Sequence, residues 1–170
     1  MEINYRFIAG RMGQLNLIHR IYIHRAAAEN GIYIGQNPIL EYLSAHDQCT
    51  QKELAETLQV SAPSIATSVK RMQKTGLLKK VADDSDLRCN RISITEKGSE
   101  LAKKARTSFD AIDSRMFQNF SAQECDQFCG YLNRMIQNIE SEEFKNKTML
   151  ALIDTMATEK KRLSGQKGEE

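Results

Sequence analysis

Basic and hydroxyl-bearing side chains are concentrated between Ser61 and Arg91. This segment contains seven lysine and arginine residues against three aspartates, a net charge of +4, whereas the whole chain of 170 residues carries +2. Local positive charge of this kind is typical of a surface that contacts a polyanion such as nucleic acid. A solvated basic face without a partner would have the same composition, so charge alone does not separate the two interpretations.

A helix is predicted to start just after Ser61 and to stop at Gly76. Ile65, Val69 and Met72 recur within it at helical intervals, which predicts that they face inward. The opposite face is then available to contact another molecule.

That opposite face carries only small, polar or basic side chains. The residues predicted there or at its flanks are Ala62, Pro63, Ser64, Ala66, Thr67, Ser68, Lys70, Arg71 and Lys74. Without bulky side chains, such a face fits the major groove of DNA, which is roughly 12 Å wide. Ser61 and Ser64 lie at the helix N-terminus, where hydroxyls, unpaired amides and the helix dipole favour a phosphate.

Two further elements are predicted on either side of this helix. Thr50 and Glu53 have the spacing of a capping box, which starts a preceding helix. The alternation of polar and apolar residues over 91–95 predicts the returning strand of a β-hairpin. Arg88 at the hairpin tip is expected to reach the minor groove, and Arg91 is assigned to the same DNA surface. A helix pair followed by a basic hairpin is a winged helix-turn-helix.

The rest of the chain is expected to be mostly helical, because it contains few helix-breaking residues: the whole sequence has two prolines and nine glycines. A first helix, about 3–28, is apolar on more than one stripe, which predicts burial against a partner chain as well as against its own core. Thr95 starts another helix, and Ser121 with Glu124 forms a second capping box. A last helical segment is expected over 149–156.

The sequence therefore predicts a mainly α fold with a small β-hairpin wing, a winged helix-turn-helix flanked by dimerisation helices. The predicted division is an N-terminal dimerisation helix (1–30), a DNA-binding domain (31–98), C-terminal dimerisation helices (99–163) and a disordered tail (164–170). The sequence has neither a long apolar run nor a secretion signal, so we expect a cytoplasmic protein without membrane contact.

Two stretches resemble a known family. TQKELAETLQVSAPSIATSVKRMQKTGLLKK (50–80) and DDSDLRCNRISITEKG (83–98) are similar to the helix-turn-helix and wing of the MarR family of bacterial regulators. The resemblance covers about residues 31–98. By position, Arg88 matches the wing arginine of the family and Asp86 the aspartate that positions it.

The resemblance implies a triangular homodimer whose first and last helices intertwine. It also implies binding of double-stranded DNA at a pseudo-palindromic operator, and it favours a repressor released by a small-molecule effector. An effector pocket lined by Met12, His19 and Tyr42 is expected by analogy with the family. Leu87 stands where the family often has a second arginine, which makes this wing tip less basic. The chain also continues beyond Glu140, where the family typically ends, and this extra helix is a candidate to enlarge the dimer interface.

Other reactive residue types point less strongly to a site. Cys125 and Cys129 lie beside apolar residues and are predicted to be buried as small hydrophobes. Cys89 lies between Arg88 and Arg91, which would lower its thiol pKa, so a redox-sensing regulator is one alternative.

Metal binding and catalysis are not predicted. His19, His24 and His46 lack neighbouring ligands at metal-binding spacing, and no cofactor is expected. Asp83, Asp84 and Asp86 are interpreted as turn residues of an exposed hairpin tip and not as catalytic carboxylates. Motifs of catalysis are absent from the sequence, which predicts a protein that is not an enzyme. A winged-helix module that binds protein or RNA is the other alternative, though few aromatics are available to stack on RNA bases.

Overall fold

The computed structural model describes residues 3–46, 48–82 and 90–165. These form helices joined by short connections and one two-stranded antiparallel hairpin. In chain order the elements are α1 (Tyr5–Glu29), a 3₁₀ turn (Ile34–Gln36), α2 (Asn37–Ala45), α3 (Gln51–Leu58), α4 (Ala62–Lys74), β1 (Leu78–Ala82), β2 (Asn90–Ile94), α5 (Glu96–Met116), α6 (Ala122–Ile139) and α7 (Met149–Gly165). The mainly α fold with a hairpin is confirmed.

Both predicted capping boxes are present. The Thr50 hydroxyl accepts from the Glu53 amide at 3.1 Å, and the Glu53 carboxylate accepts from the Thr50 amide at 2.6 Å. Ser121 and Glu124 repeat the arrangement at the start of α6. There the Ser121 amide and hydroxyl both donate to the carboxylate, which lowers the pKa of Glu124 below its ordinary value. Short local patterns therefore determine where these helices begin.

The hydrophobic core lies within the winged helix-turn-helix. Apolar residues from the end of α1, from α2, α3, α4 and the hairpin, and from the first turns of α5 form one cluster. Its members include Ile39, Leu40, Leu43, Leu54, Ile65, Val69, Met72, Leu77, Leu78, Ile92, Ala102 and Ala105. Burial of Ile65, Val69 and Met72 confirms the inward face predicted for α4.

The base of the hairpin is attached to this core through both strands. Leu78 pairs with Ile94 and Ala82 with Asn90, so the two strands are in continuous antiparallel register. Cys49 adds an isolated bridge to Ile92, with N···O distances of 3.1 and 2.7 Å. Gly98 lies so close to the Leu77 carbonyl that a Cβ atom would collide with it. The hairpin base therefore has a fixed position relative to α4 and α5.

The flanking helices are packed much more loosely within the chain. Only Ala26 and Ala27 are buried in α1, which contacts α5 through His19 and Asp113 (Nε2 to Oδ1, 2.7 Å) and through Asn30. No described residue of α6 is buried. Tyr5, Phe7, Ile8, Met12, Leu15, Leu17, Ile18, Ile21, Tyr22, Tyr131, Ile136 and Ile139 remain exposed.

Two details of the sequence interpretation are corrected. Cys125 is only half-buried and Cys129 is exposed, because α6 does not pack against the core of its own chain. The last helix includes Ser164 and Gly165, which were predicted to lie in a disordered tail. Residues 166–170 of that tail lie outside the described residues.

Candidate nucleic-acid interface

Helix α4 is held rigidly at both ends. Ser61 is its N-cap, with its Oγ accepting from the Ser64 amide at 3.4 Å. At the other end, Gly76 has φ +75° and its amide bonds to the Gln73 carbonyl, while the Leu77 amide bonds to the Met72 carbonyl. This left-handed glycine ends the helix and directs the chain into β1. Because the apolar stripe is anchored in the core, the opposite face has a defined orientation.

That opposite face is solvent-exposed along its length. Ser61, Pro63, Ser64, Thr67, Lys70, Arg71 and Lys74 are exposed, and Ser68 is half-buried. The surface combines two small residues, Ala62 and Ala66, with hydroxyls at the N-terminal half and cations at the C-terminal half. The structure thus brings together all the DNA-contact candidates that the sequence placed on this helix.

Three hydroxyls of this face already have hydrogen-bond partners in α4 or its N-cap. Thr67 donates from Oγ1 to the Pro63 carbonyl at 2.9 Å. Because its proton is used in this hydrogen bond, the Thr67 hydroxyl could only accept a hydrogen bond from a base in the major groove. Ser61 and Ser64 share a hydroxyl hydrogen bond of 2.8 Å between their Oγ atoms. A phosphate at this end would take one of those donors, since a charged acceptor forms the stronger hydrogen bond.

The wing is described only at its base. Arg91 lies half-buried on β2, paired across the hairpin with Val81. Asp86, Arg88 and Cys89 lie outside the described residues, so their proposed roles stay predictions. On β1, Lys79 and Lys80 are exposed beside α4. Sequence reasoning counted these two lysines in the basic segment but did not single them out, although their charge was the available signal.

Cys49 is buried at the hairpin bridge. Burial is the main cause that raises the pKa of Cys49, and the negative charge of Glu53 adds to it, while Arg91 acts in the opposite direction. A raised pKa leaves less of the nucleophilic thiolate, so Cys49 is a structural residue.

The three predicted effector residues are found in different surroundings. His19 bonds to Asp113, Tyr42 stacks on His46 with ring centroids 4.2 Å apart, and Met12 is exposed. A cavity of about 530 Å³ lies at the end of α1, lined by His24, Ala27, Ala28 and residues 31–35. A smaller one, about 170 Å³, lies between α4 and α7. Met12, His19 and Tyr42 line neither, and their grouping in an effector pocket stays a prediction.

Neither a metal-binding cluster nor a membrane-spanning helix is present in the described ranges. Over 3–46, 48–82 and 90–165, no group of three or more histidine, cysteine or acidic residues is close enough to hold a metal ion. Among the helices of this described part, none combines the length and apolar character needed to cross a membrane.

Part of the chain is similar in sequence to a known family. The model of the MarR family matches residues 35–88, from the 3₁₀ turn to the wing. The chain is 23% identical over 107 residues to the HTH-type transcriptional regulator BilQ of Clostridium symbiosum, covering 63% of this chain and 74% of that protein.

Solved structures share the fold over most of the chain. YusO from Bacillus subtilis aligns with a TM-score of 0.66 at 16% identity, over 80% of this chain and 99% of that one. The DNA complex of MepR from S. aureus aligns with a TM-score of 0.64 at 22% identity, over 81% of this chain and 100% of that one. The chain is therefore similar to the winged-helix regulators of the MarR family in sequence over residues 35–88, and it shares the fold of the solved structures over most of its length.

Proposed function

We propose that the protein is a homodimeric repressor that binds double-stranded DNA at a pseudo-palindromic operator and is released by a small-molecule effector. The observation that carries this proposal is the exposed face of α4, which presents Thr67, Lys70 and Lys74 without a bulky side chain. Its apolar side is packed in the core, and the width of one helix matches that of the major groove. The MepR–DNA complex, similar in fold, supports this assignment.

The exposed apolar surface of α1 and α6 supports the homodimer. Large apolar side chains on these two helices contact little of their own chain, as at Phe7, Leu17 and Ile139. Contiguous exposed apolar surface marks an interaction site, and in most soluble homo-oligomers that site is symmetric. Two copies of α4 would then address half-sites about one helical turn, roughly 10 base pairs, apart.

The cavity at the end of α1 supports an effector site. Its volume of about 530 Å³ falls within the range of small-molecule pockets, and its lining is mostly apolar with polar atoms available at His24 and Tyr33. It lies between the dimerisation helix α1 and the 3₁₀ turn that leads into α2. A ligand bound there would contact the segment that joins the proposed dimerisation helix α1 to the winged helix-turn-helix.

The test is duplex binding as a function of salt after selection of an operator from a random library. Thr67→Ala and Lys70→Ala should each cost about 1 to 3 kcal/mol at the bases they read and should change the preferred sequence. Arg88→Ala should reduce the salt slope by about one unit, as expected for a lost minor-groove cation. Lys103→Ala, on an exposed turn of α5, is the matched control and should bind like the parent.

If no duplex is selected from the library, or if duplex affinity does not change with salt, the result would instead support a module that binds another protein. If Thr67→Ala, Lys70→Ala and Arg88→Ala all bind the selected operator like the parent while staying folded, the assignment of these residues to the DNA surface is wrong.

A further inference from the structure

Helix α7 is fastened to the turn of the helix-turn-helix. The Gln59 side chain, at that turn, donates from Nε2 to the Asn146 carbonyl at 3.1 Å and accepts from the Thr148 amide at 2.9 Å. Thr148 in turn donates from Oγ1 to the Leu58 carbonyl at 3.0 Å. Three hydrogen bonds thus join two segments almost 90 residues apart in the sequence.

An uncommon backbone conformation occurs on both sides of this junction. Gln59 and Asn146 each have positive φ, 55° and 58°, a conformation uncommon for residues other than glycine. At Gln59 this conformation ends α3 and presents the side chain to the segment before α7. Thr148 also accepts from the Ala151 amide at 3.1 Å, so the same hydroxyl starts α7 and attaches it.

From this junction the first turns of α7 lie beside α4, with a cavity of about 170 Å³ between the two helices. Ala151 is buried, although it belongs to a helix whose other described residues are half-buried or exposed. The cavity is lined by Ser64, Ile65 and Ser68 of α4, by Gly35, Ile39 and Val60, and by Leu150, Ile153, Asp154 and Ala157 of α7. The flank of α4 that faces α7, where Ser64 is exposed and Ser68 half-buried, is part of the proposed DNA surface.

A second helix beside α4 occupies room that the DNA backbone would need. One helix with its side chains is about 10 to 12 Å across, so α4 alone nearly fills the major groove of DNA. The major groove is about 12 Å wide, and its phosphate walls pass close to both flanks of an inserted helix. Asp154 adds a carboxylate on the side where a phosphate would pass. Sterics and charge both oppose entry of α4 while α7 is seated.

We propose that α7 is an intramolecular inhibitory helix, which lies beside the Ser64–Ser68 flank of α4 and has to move away from it before α4 can enter the major groove. This inference rests on the proposed DNA binding and adds a way of regulating it. The affinity measured for DNA is then the affinity of the open form reduced by the fraction of molecules in which α7 has left its seat.

The test loosens α7 without altering the core. Gln59→Gly removes two of the three hydrogen bonds and keeps a residue that accepts positive φ. Thr148→Val keeps a β-branched side chain and removes the third bond, together with the one from the Ala151 amide that starts α7. We expect the double variant to bind the selected duplex about tenfold more tightly than the parent. Thr158→Val is the matched control: its hydroxyl bonds only within α7, to the Asp154 carbonyl, and duplex affinity should not change.

A second measurement uses the unmodified protein. Amide hydrogen exchange of residues 149–157 should become faster when the protein is saturated with duplex, since α7 leaves its seat. Equal or weaker duplex binding by the folded double variant, or exchange in α7 that is unchanged or slower with DNA, would overturn the inhibitory role. If neither parent nor variants bind any duplex, the proposed function itself fails, which is a result distinct from equal binding.

Discussion

Leu40 in α2 and Leu17 in α1 are the same residue type in helices of one chain, yet Leu40 is fully buried and Leu17 is 62% exposed. The contrast extends to the regions around them. The winged helix-turn-helix has a continuous core, whereas α1 and α6 expose apolar side chains along their length. Burial of apolar surface drives folding, so the first region can supply its own stability and the second depends on surface from elsewhere.

The largest effect is expected in the buried region. Leu40→Ala removes a side chain with no solvent exposure and leaves a cavity, so the free energy of unfolding should fall by about 2 to 5 kcal/mol. Urea denaturation monitored by circular dichroism measures this loss, and Leu17→Ala is the matched substitution on α1. Equal losses in the two variants at high protein dilution would remove the distinction between the regions.

Two glycines offer a sharper version of the same comparison. A Cβ on Gly98 would collide with the Leu77 carbonyl and the Ile94 side chain, so Gly98→Ala should destabilise the protein by about 1 to 3 kcal/mol. Gly130, within α6, has no atom within 4 Å of the corresponding position. Gly130→Ala should therefore raise helix stability by about 1 kcal/mol. Thermal unfolding distinguishes the signs, and loss of stability in Gly130→Ala would indicate a partner closely packed there.

The exposed region should respond through association. Leu17→Glu places a charge on the apolar face of α1, and we expect the dissociation constant of the homodimer to rise at least about tenfold, because burying an unpaired charge is costly. Sedimentation equilibrium measures it. Asn16→Glu puts the same charge at the neighbouring exposed, already polar position and should have the smaller effect. A parent protein that sediments as a monomer would contradict the proposed interface.

The smallest expected effect is a difference in thiol reactivity. Cys49 is buried and its pKa is raised by that burial, whereas Cys129 is exposed on α6. Iodoacetamide should therefore modify Cys129 well before Cys49 under native conditions, as followed by peptide mass spectrometry. Dimerisation over α6 would slow the Cys129 reaction, so its rate should fall as protein concentration rises. Faster modification of Cys49 would mean that the hairpin bridge opens readily.

Local patterns made much of this architecture predictable. The capping boxes at Thr50 and Ser121 fixed helix starts because their hydrogen bonds span only three residues. The 3.6-residue periodicity likewise identified the buried face of α4, and with it the candidate DNA surface. Burial of Cys129 was predicted wrongly because an apolar stripe shows that a face needs a partner without showing which chain supplies it.

The sequence by itself determined the starts of α3, α4 and α6, the hairpin and the exposed residues of α4, since each follows from contacts between near neighbours. Only the tertiary structure decided that Gln59 and Thr148 meet, that α7 lies against α4, and that a cavity forms at the end of α1. Those features depend on contacts between segments far apart in the chain. Their geometry is set by how all the helices pack together, which neither the spacing nor the composition of a single segment records.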